Sequence, residues 1–143
     1  ARLADVAQVE AMAEGLDREW LCSLPAALKS AQQLFSKTGG VHGAARVGPG
    51  EPLTRVFEDV GRHNAVDKLV GALLQEDRLP ASGQWMLLSG RAGFELIQKA
   101  VRAGFSGVAS LGPPTTLAVH HARQAHLRLV GFLSHERFNL YCE

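Results

Sequence analysis

The second half of the chain repeats one alternation of apolar and polar positions. Four consecutive apolar residues, Trp85-Met86-Leu87-Leu88, read as a buried strand; the polar glycine turn Ser89-Gly90-Arg91 follows, and Phe94, Ile97 and Val101 then fall on one face of a helix. The next unit has the same order. Gly107-Val108-Ala109-Ser110-Leu111 reads as a strand of small residues, Gly112-Pro113-Pro114 as a turn, Thr115 or Thr116 as a cap, and Leu117, Ala118, His121, Ala122 and Ala125 as a helix face. Residues 127–133 supply a third strand, Ser134-His135-Glu136 a turn, and residues 137–141 a short last strand. Strands alternating with helices need crossover connections, so the pattern predicts one α/β domain with a largely parallel sheet and helices on both faces.

Upstream the pattern is less regular. Residues 1–20 favour a helix by propensity, but their apolar positions fall at mixed spacing, so residues 1–23 read as a linker or peripheral helix and residues 24–143 as the domain. Ser23 before Leu24-Pro25 has the form of a helix cap with proline in the first turn. Leu24, Ala27, Leu28, Ala31, Leu34 and Phe35 then mark one face of a helix ending near Ser36, stopped by Thr38-Gly39-Gly40. Residues 41–47 and 53–58 flank Gly48-Pro49-Gly50 and read as a hairpin, with Leu53, Arg55 and Phe57 on one face and Thr54, Val56 and Glu58 on the other. A helix then runs to about Gln75, and a loop containing Pro80 covers residues 78–83.

This arrangement gathers chemistry at one edge. In a parallel sheet every strand-to-helix turn lies on the same side, so the turns at 59–64, 89–93 and 112–116 converge. The densest of them, Glu58-Asp59-Val60-Gly61-Arg62-His63-Asn64-Ala65-Val66-Asp67-Lys68, crowds polar and charged residues around one glycine just before a helix. Gly61 lets the backbone turn or approach a ligand, the helix start offers unpaired N–H groups to an anion, and Arg62 adds a planar fork of donors. A plainer reading is a capped helix start, with Asp59 or Asn64 as the cap, Asp67 and Lys68 in solvent, and Arg62 paired with Glu58 or Asp59. On the first reading Gly61, Arg62, His63, Asn64, Ser89, Gly90 and Arg91 form a site for a phosphate-bearing small molecule. His42, after a glycine-rich turn, is a further candidate as an acid/base group or oxyanion donor. Glu95 and Lys99 have the spacing of an i,i+4 helix pair.

Composition narrows the class. Fifteen basic residues against fourteen acidic ones give a net charge of +1, and with no Lys/Arg run and few aromatic residues a nucleic-acid surface is not expected. No apolar stretch approaches the ~20 residues that span a bilayer, and the N-terminus lacks a signal-peptide core, so a cytoplasmic location without membrane contact is expected. Cys22 and Cys142 make neither a disulfide framework nor a zinc site. The zinc deaminase pattern lacks its glutamate after His42 and its cysteine pair, so no metal is assigned. Ser89-Gly90-Arg91 lacks the flanking glycines of G-x-S-x-G, which argues against a hydrolase.

Taken together, the motifs resemble one family, FdhD, the formate dehydrogenase accessory sulfurtransferases. The matching pieces are Thr38-Gly39-Gly40-Val41-His42, the 58–68 stretch, Ser89-Gly90-Arg91-Ala92-Gly93-Phe94-Glu95 with Gln98-Lys99, and the end from Leu129-Val130-Gly131-Phe132-Leu133 to Arg137-Phe138-Asn139-Leu140-Tyr141. The resemblance implies a three-layer α/β/α, cytidine-deaminase-like fold with a mixed sheet, a homodimer, and no zinc. It implies a sulfur carrier that takes sulfur from a cysteine desulfurase to the molybdenum bis-molybdopterin guanine dinucleotide cofactor destined for formate dehydrogenase. It also adds Leu133, Ser134, His135, Glu136, Arg137 and Phe138 as a cofactor-binding segment, so that Arg62, Arg91 and Arg137 surround the phosphates. The family's persulfide cysteines stand in a C-G-x-C loop upstream of the matched region, and Cys22 and Cys142 do not match it. The chain is therefore expected to be a fragment that binds cofactor without transferring sulfur, with no catalytic residue of its own. The alternatives are a non-catalytic molybdenum-cofactor or guanine-nucleotide chaperone, a zinc-free nucleotide-binding regulator, and a hydrolase.

Overall fold

The structure is a computed structural model that describes residues 7–32 and 39–143. Among these residues the elements run α1 (Arg18–Ala31), β1 (His42–Val47), β2 (Phe57–Asp59), α2 (Arg62–Gln75), β3 (Trp85–Leu88), α3 (Phe94–Arg102), β4 (Gly107–Ser110), α4 (Thr116–Ala125), β5 (Arg128–Gly131) and β6 (Asn139–Cys142). The six strands form one sheet in the order β2-β1-β3-β4-β5-β6. The helical crossovers make β3, β4 and β5 parallel, as the alternation predicts, whereas β1 is antiparallel to both β2 and β3, and β6 is antiparallel to β5. The sheet is thus mixed.

Alternate strand residues feed two cores. Ala44, Met86, Leu88, Val108 and Leu129 pack under α2, α3 and α4, while Ala45, Val47, Trp85, Leu87, Ala109 and Val130 pack against Leu21, Leu24 and Leu28 of α1. Helices therefore cover both faces, three on one side and one on the other. The segment before α1 is tied down without being helical: Val9 N–H donates to the Ala125 carbonyl at 2.9 Å, and Arg128 Nη1 donates to the Glu14 carbonyl at 2.8 Å.

Several local expectations change. The first helix starts at Arg18 and not after Ser23, because the Asp17 side chain accepts the Trp20 N–H at 3.0 Å and caps it. Pro25 consequently lies inside the helix. An interior proline costs about 3 kcal/mol, but burying leucines contributes roughly 1.5–3 kcal/mol each, and Leu21, Leu24 and Leu28 are all buried, so packing prevails. The helix ends at Ala31; Leu34, Phe35, Ser36 and Thr38 lie outside the described residues. Of the predicted second hairpin arm, residues 53–58, only Phe57 and Glu58 are in a strand, which runs Phe57–Asp59. Leu53 and Val56, expected on opposite faces, both pack against the α1 core. Phe94 and Leu117, expected on buried helix faces, are exposed, Leu117 by 65%. Each sits in a first helical turn; Leu96, Ile97, Ala100 and Val101 fill the core below α3 in place of Phe94.

Candidate functional site

The carboxyl ends of β2, β3, β4 and β5 share one edge with the amino ends of β1 and β6, because the two antiparallel strands run the other way. The turns at 59–64, 89–93 and 112–116 therefore do reach a common edge. Backbone hydrogen bonds sew three loops together there. Gly112 N–H donates to Gly90 O at 3.0 Å, Ala92 N–H to Pro113 O at 3.1 Å, Thr115 N–H to Ala92 O at 3.0 Å, and Phe132 N–H to Gly112 O at 3.2 Å. A Cβ on Gly112 would stand 3.0 Å from backbone atoms of Gly90 and Arg91, so this close approach needs glycine. Ser89 Oγ accepts the Gly43 N–H at 2.8 Å, and Gly90 lies so close to His42 that a Cβ there would be 3.0 Å from His42 Nδ1.

On the α1 side of this edge the loops enclose a cavity of about 810 Å³. Of the sequence-predicted residues, His42, Ser89, Gly90, Leu133, Ser134 and His135 line it. Arg137 lines an adjoining hollow of about 560 Å³ that shares Leu111, Leu133 and Ser134 with the first. Glu136 lines a shallow depression beside α1, where its carbonyl accepts Arg18 Nη2 at 2.7 Å and its carboxylate lies 3.1 Å from His135 Nε2. Phe138 is half-buried against the α1 core, with the Arg18 guanidinium 5.7 Å from its ring centroid. Ser134 holds the loop closed: its N–H donates to Arg137 O at 2.9 Å, and its Oγ accepts Arg137 N–H at 3.1 Å.

Gly61, Arg62, His63, Asn64 and Arg91 share the edge but line neither hollow. Gly61 is the N-cap residue of α2 with φ −96°, a backbone any residue adopts, so the freedom expected of it is not used. Neither Asp59 nor Asn64 caps α2. Instead Asp59 accepts the Gly61 N–H at 2.9 Å and pairs with Lys68 Nζ at 2.9 Å. The Lys68 bond first, and the Gly61 N–H second, hold its carboxyl down at about 2. Lys68, exposed as expected, also anchors the turn, and Asp59 is committed to it and not to Arg62. The buried Arg62 Nε has no hydrogen-bond partner among the described residues. Glu95 and Lys99 do not pair with each other; both reach across to α2, Glu95 lying 3.8 Å from His63 Nδ1 and Lys99 bonding Asp67 at 2.8 Å.

The cavity wall holds residues that the sequence did not single out. Pro25, Ala26, Lys29 and Gln32 of α1 and its C-cap line it with Leu111. Gln32 is buried, and its Nε2 has no partner among the described residues. The available signal was the Lys29/Gln32 pair, one turn apart on an otherwise apolar helix side, close before Gly39-Gly40. No group of three His, Cys, Asp or Glu among the described residues is placed to hold a metal ion. No described helix is long and apolar enough to cross a membrane.

Fold and site together define a class: a mixed α/β domain with a donor-lined cavity where strand ends meet helix starts. The pattern of the FdhD/NarQ family matches residues 2–143, and the chain belongs to that family. It is similar to proteins named sulfur carrier protein FdhD, with 45% identity to that of Sulfurisphaera tokodaii over 88% of the chain, and 51% to that of Streptomyces avermitilis over 88%. To the Mycobacterium tuberculosis protein of that name it is 42% identical over 99% of the chain. These matches cover 49%, 45% and 53% of the relatives, so the chain spans about half their length. A solved chain from Desulfotalea psychrophila, assigned as a formate dehydrogenase accessory protein, superposes with a TM-score of 0.79 at 26% identity, over 99% of this chain and 60% of that one.

Proposed function

We propose that this chain is the cofactor-binding part of a sulfur carrier that serves formate dehydrogenase maturation. Its substrate on this reading is the molybdenum bis-molybdopterin guanine dinucleotide cofactor, bound by a guanine nucleotide arm. The observation that carries the reading is the cavity of about 810 Å³, within the ~300–1,000 Å³ typical of small-molecule sites. Pro25, Leu111 and Leu133 give it apolar surface for a flat base, while Lys29, His42, Ser89 and Ser134 place polar groups around it. The buried Gln32 Nε2, with no hydrogen-bond partner among the described residues, is the group a polar ligand would satisfy. Arg137 in the adjoining hollow, with Arg62 and Arg91 along the same edge, supplies the charge for phosphates.

The rest of the proposal belongs to the whole protein, which in the relatives is about twice as long. It comprises a cysteine desulfurase as sulfur donor, formate dehydrogenase as recipient of the matured cofactor, a homodimer in the cytoplasm, and the three-layer cytidine-deaminase-like class, which the helices on both sheet faces support. A second reading, a non-catalytic cofactor chaperone, draws on the cysteines. Burial pushes the Cys142 thiol up, which disfavours a thiolate at that position.

Calorimetric titration of the chain with GDP and with ADP tests the binding reading. GDP binds at least tenfold more tightly, and Arg137→Ala weakens GDP by about tenfold to a hundredfold, from roughly 1.5–3 kcal/mol per charge-assisted contact. Arg62→Ala and Arg91→Ala, at residues that line neither hollow and act only as charges along the edge, each weaken it by about threefold or less. Equal affinities for the two nucleotides, or none for GDP, contradict it. Unchanged GDP affinity with a lowered melting temperature in an arginine variant makes that arginine structural.

A further inference from the structure

Gln32 ends α1 as its C-cap residue, its backbone N–H donating to Leu28 O at 3.0 Å and Lys29 O at 3.3 Å. This anchors the backbone and leaves the carboxamide to the cavity wall. The residue is only 4% exposed, and its Nε2 has no hydrogen-bond partner among the described residues. The amide sits over Gly43: a Cβ on that glycine would meet Gln32 Cδ at 3.0 Å and Nε2 at 3.1 Å. Gly43 is in turn fixed by the Ser89 hydroxyl. A helix cap, a glycine and a serine thus cooperate to hold one amide whose donor is unsatisfied among the described residues. Such an arrangement costs stability, because a buried donor without an acceptor has lost its water for nothing.

We propose that Gln32 is the specificity residue of this cavity, reading the hydrogen-bonding edge of a keto-purine base. The inference rests on the guanine-nucleotide reading of the same cavity and deepens it. The Gln32 atom with no partner among the described residues is its Nε2 donor, which needs an acceptor from the ligand. A keto-purine turns a ring carbonyl acceptor toward such a donor. An amino-purine offers a ring acceptor beside an amine donor, so any arrangement tuned to the first leaves a buried polar group unpaired with the second. Sites that hydrogen-bond a ligand discriminate in this way far more strongly than apolar pockets do. Lys29 in the same wall is exposed and His42 half-buried, so water can satisfy a mismatched group there at little cost, as it cannot at buried Gln32.

The test measures GDP, IDP and ADP affinities of the wild-type chain, Gln32→Leu and Gln32→Glu by calorimetry, with inorganic pyrophosphate as a probe of the phosphate contacts. The wild type prefers GDP and IDP over ADP by tenfold or more. In Gln32→Leu the preference falls below threefold while pyrophosphate affinity stays within twofold, and in Gln32→Glu both keto-purine nucleotides weaken by at least tenfold. If the wild type does not prefer GDP, the cavity reading itself fails. If the wild type prefers GDP and Gln32→Leu keeps that preference, the cavity reading stands and the role of Gln32 is overturned. Circular dichroism on each variant confirms that folded proteins are compared.

Discussion

Asp59 shows how a residue that looks like a ligand contact in the sequence serves the scaffold. Its carboxyl, normally near 3.8, is held at about 2 by Lys68 and the Gly61 N–H. A carboxylate with a depressed folded-state value stabilises the fold fully above its unfolded value and loses that contribution as pH falls through the folded one. Urea unfolding of wild type and Asp59→Asn should therefore show a constant stability gap from about pH 5 to 7, closing between roughly pH 4 and pH 2. A gap that persists unchanged at about pH 2 would mean that Lys68 does not need the charge. Gln32 makes the opposite case, a residue kept at the expense of the fold. In the ligand-free chain Gln32→Leu removes a buried Nε2 donor that has no partner among the described residues, and should raise unfolding stability by about 1 kcal/mol, or a few degrees in melting temperature. A loss of stability of that size would show that the amide is already satisfied.

At the scale of elements, the regular units were legible and the irregular ones were not. β3, α3, β4, α4 and β5 each combine a short apolar run, a polar glycine turn and a helical period, so local sequence and packing agree and the order of elements follows. α1 was displaced because Ser23-Leu24-Pro25 carries a start signal that tertiary packing overrides; Ser23 Oγ instead donates to the Trp20 carbonyl at 2.6 Å. Asp17→Ala, removing the actual cap, should cost about 1 kcal/mol in thermal or urea unfolding, whereas Ser23→Ala should cost less than half as much. The antiparallel direction of β1 is a pairing choice that no residue in 42–47 announces. It nonetheless decides the site, because it carries Gly39, Gly40 and His42 to the edge where β3 and β4 end. For the same reason the turn at 59–64 falls on the far side of β1, with Asp59 paired to His42 in register and away from the cavity.

In the whole molecule, one sheet edge carries two surfaces of different character. On the α1 side lies the cavity; the starts of α2, α3 and α4 flank the other side, with Val60, Phe94 and Leu117 exposed there. The motifs that mark the family are divided between these surfaces: Gly39-Gly40-Val41-His42, Ser89-Gly90 and Leu133-Ser134-His135 line the cavity, whereas Arg62-His63-Asn64 and Arg91 do not. The sequence therefore pointed to the edge where the cavity lies but could not show on which face of the sheet that cavity opens, since that depends on α1 closing one side only. Mapping amide chemical shifts by two-dimensional NMR while GDP is added tests this most directly. Saturable shifts are expected at Gly40, His42, Ser89, Gly90, Ser134 and His135 and at the Gln32 side-chain amide, with α2 and α3 beyond their first turns unmoved. Saturable shifts confined to the starts of α2, α3 and α4, with the Gln32 amide and Ser134 unchanged, would contradict it.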